Sequence, residues 1–201
     1  MKNLFLLTFV LFISGFSFGQ DAFSVGPKIG FNSNTLSTNL DSIKSSINNS
    51  LQVGAFVRIG SKFYVQPEAN YQVVSSSLNL TKGTSIKQQD ITIKTIKIPV
   101  LLGYKLISQN KFNFRILAGP ALSFNIDKKL SPLDMGDLWP LQSANDLKNS
   151  TWSVQMGGGI DVFFLTLDVR YEVGIDNLYT GADDVTMKNN IFNVSLGLKI
   201  L

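Results

Sequence analysis

Asp168, Arg170 and Glu172 occupy alternate positions in the stretch LTLDVRYEVG, residues 165–174. In an extended strand alternate side chains leave by the same face, so this spacing lines up two carboxylates and a guanidinium in one row. Such a row could relay protons or ions along a pore, and paired carboxylates can do acid–base work. It could equally form a ladder of salt bridges with cations on neighbouring strands, Arg115 and Lys199 among them. The second reading is favoured here, because nothing in the sequence places these carboxylates in an open cleft.

Other candidate chemistry is sparse. The chain has no histidine and no cysteine, which removes the commonest general base, the commonest metal ligand and every thiol or disulfide function. A Ser-His-Asp triad is impossible. The run Gly157-Gly158-Gly159 lacks the Lys-Ser/Thr that follows in a phosphate-binding loop; it reads as room for large neighbouring side chains or for strand curvature. The acidic pair in GADDV (181–185) reads as turn chemistry rather than a metal site. Asn149-Ser150-Thr151 fits the glycosylation pattern and is discounted. No catalytic, cofactor-binding or metal-ligating residues are assigned, and no enzymatic activity is expected. The net charge of +4 comes without a basic run interleaved with aromatics, so nucleic acid is not an expected partner.

The elements that must carry the charged row are strands. Apolar–polar alternation recurs eight times, at about 23–31, 51–59, 63–73, 96–106, 112–124, 152–162, 165–174 and 191–200, which is the period-2 signature of a strand with two unlike faces. Ile91 and Ile93 have the opposite parity to Ile96 and Ile98, and a bulge near Lys94 and Thr95 would reconcile them. Short connections at 60–62, 108–111 and 161–163 alternate with longer polar ones at about 32–50, 78–90, 125–151 and 175–190. All long connections then fall at one end, and both termini fall at the other. This predicts an all-β, eight-stranded, antiparallel up-and-down barrel.

Two barrels fit that pattern. A soluble, lipocalin-like periplasmic barrel would turn the apolar face inward around a small apolar ligand. A transmembrane barrel inverts the arrangement. The apolar face is nearly unbroken on every strand and carries no charge, as Leu165, Leu167, Val169, Tyr171 and Val173 illustrate. The other face is rich in Gly, Ser, Asn and Gln with scattered charges of both signs. Each strand offers the about 9–11 residues that cross a hydrocarbon core at a tilt. Phe23, Phe31, Phe63, Tyr71, Tyr104, Phe112, Phe124, Trp152, Tyr171 and Phe192 gather toward strand ends, in the manner of aromatic girdles. The transmembrane barrel is therefore expected, with a structural charge network inside it formed by Lys28, Arg58, Glu68, Lys97, Lys105, Arg115, Asp161, Asp168, Arg170 and Glu172. Pro27 and Pro120 fall on the apolar face, where proline disturbs a ladder.

Residues 1–19 differ from the rest. Lys2 is followed by the apolar run LFLLTFVLFI (4–13) and by small residues Ser17 and Gly19 before Gln20. This reads as a secretory signal peptide removed from a single barrel domain of residues 20–201. The loop 127–149 carries Leu133, Met135, Leu138, Trp139 and Leu141, apolar residues that could form a partner site. In 39–50, Leu40, Ile43 and Ile47 fall at helical spacing and suggest one or two helical turns.

The ordered set GPKIGFNSNTL, YVQPEANY, IKIPVLLGYKL, FRILAGPALSF, GGGIDV and LDVRYEVGIDNL resembles the PorT-like outer-membrane β-barrel family of the Bacteroidota, over essentially the whole mature chain. The more specific pieces are Ile98–Leu102, Ala118-Gly119-Pro120 and Asp168–Glu172. The resemblance implies an eight-stranded barrel in the outer membrane in contact with its lipid. It also implies a structural or interaction role as an accessory of protein secretion or envelope assembly, with partners met through the extracellular loops. The chain departs from many outer-membrane barrels in ending Ile200-Leu201 rather than in an aromatic residue.

Overall fold

The structure is a computed structural model that describes residues 22–38, 43–45, 48–82, 85–109, 111–130, 148–176 and 187–200. The strands are β1 (Phe23–Thr38), β2 (Ile43–Ser45), β3 (Asn48–Ile59), β4 (Phe63–Lys82), β5 (Ser85–Gln109), β6 (Phe112–Leu130), β7 (Ser150–Val162), β8 (Leu165–Gly174) and β9 (Met187–Leu198). Setting aside the three-residue β2, each strand pairs antiparallel with the next, and β9 pairs back onto β1 from Lys28↔Gly197 to Thr38↔Met187. The result is a closed eight-stranded barrel with no free edge, as expected.

The sidedness is the inverted one. On β8 the burial alternates without a break: Thr166, Asp168, Arg170 and Glu172 are buried, while Leu165, Leu167, Val169, Tyr171 and Val173 are exposed. The same parity holds on the other long strands, where Ile29, Val53, Ile98, Ile116, Met156 and Leu196 all face outward. A water-soluble barrel with an apolar interior needs the opposite arrangement, so that alternative is set aside. Phe23 to Phe31 and Phe63 to Tyr71 are each eight residues apart, which at about 3.3 Å per residue and a tilt of about 40° is a rise of about 20 Å. That spans most of the about 25 Å height of the apolar band of a transmembrane barrel.

Three connections are tight, at 60–62, 110–111 and 163–164. Gly60 adopts a φ of 123° in the first, and Phe163 a φ of 53° in the last. The first and last described residues lie at this end, where the Gly60 amide donates to the Ala22 carbonyl at 2.7 Å.

At the other end three expectations change. The connection expected at 78–90 is strand: β4 and β5 stay paired up to Lys82↔Ser85. The reason is that Leu78, Leu80, Ile91 and Ile93 keep a period of two through an otherwise polar segment, and a two-sided polar hairpin can stand in water. Of the segment 39–50, where helical turns were expected, Leu40 and Ile47 lie outside the described residues, while Ile43 falls in β2 and pairs with Leu80 of β4, and β3 starts at Asn48. Finally, the irregularity at Lys94 and Thr95 is present, but the extra residue is Ile126 of β6, between Asn125 and Asp127. β5 itself runs unbroken against β4 there, so Ile93 shares the inward parity of Thr95 and lines the same cavity.

Prolines mark the wall. The β3–β4 ladder skips Val57 and Arg58 opposite Gln66 and Pro67, β4–β5 skips Glu68 and Ala69 opposite Ile98 and Pro99, and β5–β6 skips Val100 and Leu101 opposite Gly119 and Pro120. Each gap keeps its register and contains one proline, which has no N–H to give.

Candidate functional site

All ten charges expected inside are inside. Lys28, Arg58, Glu68, Lys97, Lys105, Arg115, Asp161, Asp168, Arg170 and Glu172 are buried, and Arg115 is fully so, at 0 % exposure. Nine of them, all but Lys105, fall into two groups of ion pairs. In the larger, Arg58 Nη1 donates to Asp161 at 2.8 Å and Arg115 Nε to the same carboxylate at 3.1 Å. Arg115 continues to Asp168, Asp168 to Arg170, and Arg170 to Glu68 at 2.7 Å. Lys28 closes on Glu68 at 3.0 Å, with Asp168 at 3.8 Å. In the smaller group, nearer the long-connection end, Lys97 donates to both oxygens of Glu172 at 2.6 and 2.7 Å. Lys199 reaches Asp161 at 3.9 Å. Arg115 thus meets the row at Asp168, as expected, whereas the carboxylate that Lys199 reaches is Asp161 on β7, outside the row.

Buried ions persist only when paired and hydrogen-bonded, and uncharged residues complete these shells. Gln66 and Asn70 donate to Glu68 at 2.7 and 3.0 Å. Ser153 and Gln155 both donate to Glu172 at 2.8 Å. Gln66 also accepts from Arg58 Nε at 2.8 Å, and Thr166 accepts from Arg115. The sequence placed these residues on the inner face without singling them out; their inward parity was the available signal. The same parity held a second group that was not weighted. Phe56, Tyr64, Leu101 and Leu117 are buried in the lumen on β3–β6, and the Arg58 guanidinium lies over the Tyr64 ring at 5.0 Å. The interior thus sets four large apolar or aromatic side chains of β3–β6 among charges that those same strands share with β1, β7 and β8.

Glycine makes the cross-strand contacts possible. Arg115, Gly159 and Asp168 are successive ladder partners on β6, β7 and β8. The middle position has no side chain, so the outer two meet above it. A Cβ at Gly159 would fall 2.3 Å from Asp168 Oδ1 and 2.8 Å from the Arg115 guanidinium carbon. Tyr64, Gly103 and Leu117 repeat the device on β4–β6: a Cβ at Gly103 would fall 2.0 Å from Tyr64 Cζ. Within the glycine run, Gly159 is therefore packing space, one of the two roles the sequence left open.

Above the network, toward the long connections, lies a polar recess floored by Lys97 and Glu172 and walled by Thr95, Ser123, Thr151 and Asn189. Just outside the apolar belt, Lys94 donates to Asp127 at 2.9 Å. That hydrogen bond holds the Asp127 carboxyl below the ordinary carboxylate range and raises the Lys94 ammonium. Leu133, Met135, Leu138, Trp139 and Leu141, the acidic pair in 181–185 and the signal segment 1–19 lie outside the described residues.

A closed barrel, an apolar exterior and a charged interior are the features of a strand-spanning membrane protein. Residues 18–180 match the family described as outer membrane protein beta-barrel domain. The chain belongs to that family. It is an eight-stranded protein of the outer membrane, in contact with membrane lipid. No curated protein sequence matches it significantly. Among solved structures it is similar to the outer membrane protein OprG from Pseudomonas aeruginosa, with a TM-score of 0.56 at 13% identity, covering 90% of this chain and 96% of that one. Neisserial surface protein A follows at 0.49 and 14% identity, covering 89% and 97%. Ail, the attachment invasion locus protein of Yersinia pestis, solved with the heparin analogue sucrose octasulfate, stands at 0.48 and 13% identity, covering 89% and 99%. At these identities the likeness to OprG concerns the fold.

Proposed function

We propose that this outer-membrane barrel is a non-enzymatic, non-conducting structural and interaction protein, an accessory of protein secretion or envelope assembly in the manner of PorT-like barrels. The observation that carries the reading is the filled lumen. Arg115, Asp161, Asp168, Arg170 and Glu68 interlock across it, and Phe56, Tyr64, Leu101 and Leu117 pack among them. Eight strands leave an interior that side chains can fill, so partner recognition falls to the surfaces beyond the membrane. The apolar residues Leu133, Met135, Leu138, Trp139 and Leu141 of the sequence support a contact there, as does the sequence resemblance to PorT-like barrels.

The test has two arms. In planar bilayers the purified protein is expected to give no conductance steps; regular steps would overturn the non-conducting reading. In the source bacterium, deletion of the gene is expected to deplete secreted proteins from the medium. The intact gene should restore them, and a version lacking 127–149 should not. An unchanged secreted fraction would overturn the secretion role and leave an envelope-assembly role, which would be read from the abundance of other outer-membrane proteins in the same strains.

A further inference from the structure

On the lipid-facing wall, at the short-turn end, lies an apolar groove of about 480 Å³. Its sides are Ile59 and Val65 on β3 and β4, and Leu102 and Ile116 on β5 and β6. It exists because Gly103 and Ala118 are small while their neighbours are large. Its floor is closed by the Tyr64 ring lying under Gly103. Phe63 and Tyr104 stand at its turn-side end with ring centroids 4.6 Å apart. The exposed Lys62, in the β3–β4 turn, sets its ammonium 5.4 Å from the centre of the Tyr104 ring. An apolar groove thus ends in a cation held at the membrane–water boundary by an aromatic face.

We propose that this groove seats one anionic phospholipid of the periplasmic leaflet, with an acyl chain along Val65, Leu102 and Ala118 and the phosphate on the Lys62 ammonium. Short turns lie on the periplasmic side in barrels of this kind, so the leaflet at this height is the inner one. The charge at the groove mouth decides the class of headgroup. No acidic side chain lines the groove, and the one acidic residue in the lumenal mouth that Lys62 also borders, Asp161, is engaged by Arg58 and Arg115, so an added ammonium on the lipid would meet a like charge and a net anionic head would not. Lys111, in the β5–β6 turn, carries the same charge at the same rim, but its ammonium lies over Phe163 of the β7–β8 turn at 5.6 Å. It therefore points away from the groove, and it separates a specific seat from a merely basic rim.

The experiment is native mass spectrometry of the folded protein in mild detergent, titrated with phosphatidylglycerol or phosphatidylcholine of the same acyl chains. Wild type is expected to retain one phosphatidylglycerol with about fivefold preference, the ratio that corresponds to about 1 kcal/mol for one basic residue at a membrane surface. Lys62→Glu should reduce the preference to unity, and Lys111→Glu should leave it unchanged. Ala118→Phe, or Ala118→Leu should the ring prevent folding, should lower retention of both lipids. Heat-shifted mobility on a gel confirms that each variant is folded. Equal retention of the two lipids by wild type would overturn the proposal. So would a preference that survives Lys62→Glu, one that Lys111→Glu abolishes equally, or retention of both lipids unaffected by filling the groove.

Discussion

Arg170 and Glu68 are 102 residues apart in sequence and meet as a two-pronged pair inside the barrel, Nη2 to Oε1 at 2.7 Å and Nη1 to Oε2 at 3.0 Å. They sit on β8 and β4, which share no ladder. Such a pair joins opposite walls, so it holds the cross-section of the barrel as well as a local contact.

Removing one member should cost more than removing both. Arg170→Met leaves Glu68 buried with less compensation and should lower unfolding stability by about 3–5 kcal/mol. The double variant Arg170→Met, Glu68→Leu removes one charge of each sign. Lys28 keeps Asp168, and Asp168 keeps Arg115. The double variant should therefore recover most of the loss. Urea unfolding in vesicles checks this, and a double variant as weak as the single one would contradict it.

The glycine run offers a contrast within adjacent residues. Gly159→Ala would drive a methyl against Asp168 and Arg115, and the crowding should cost about 1–3 kcal/mol. Gly158 faces the other way, and a Cβ there meets nothing closer than the Arg115 carbonyl at 3.4 Å. Gly158→Ala should stay within about 0.5 kcal/mol of wild type. Equal effects at the two positions would mean that the lumenal pair is not packed as described.

What the sequence disclosed about this molecule was its parity. Val169 and Tyr171 against Arg170 and Glu172 set which side faces lipid, because a membrane leaves no place for a charge on the outer row. The identity of the lumenal ions followed from the same rule. Their partners did not. Arg58 meets Asp161 across 103 positions of chain, and that meeting depends on how far the closed sheet is staggered, which no single strand encodes. The hairpin at 78–90 was hidden because Ser, Asn and Gln are as common in loops as in strands that stand in water. Ile43 is ambiguous for a related reason: its spacing of four from Ile47 fits either period, and pairing with Leu80 decides for strand. Phe56, Leu101 and Leu117 had inward parity in plain view, and their weight was lost beside the charges.

The prolines predict uneven protection of the backbone. Pro67, Pro99 and Pro120 remove a donor from three consecutive seams. By hydrogen exchange in micelles, amides at 68–69 and 100–101, beside the gaps, should exchange faster than those at 70–72 and 95–97, where the ladder is complete. Pro99→Ala should slow exchange across the β4–β5 seam at 68–69. Uniform protection along β4 and β5 would show that the gaps are closed by other partners.

Depth in the membrane should be readable from charge substitutions on the outer face. Val169 is outward-facing and lies midway along β8, between Leu165 and Val173. Val169→Arg must hold a guanidinium near the centre of the hydrocarbon, which should cost about 2–4 kcal/mol in vesicles. Ile126 is also exposed, but it sits at the β6 bulge beside the Lys94–Asp127 pair, where charges already stand in water. Ile126→Arg should cost about 0–1 kcal/mol. The two substitutions are alike in chemistry and in exposure, so only the lipid can separate them. If unfolding midpoints in vesicles shift equally, the belt is misplaced along the strands; if both are silent, the outer face of the barrel does not meet hydrocarbon at all.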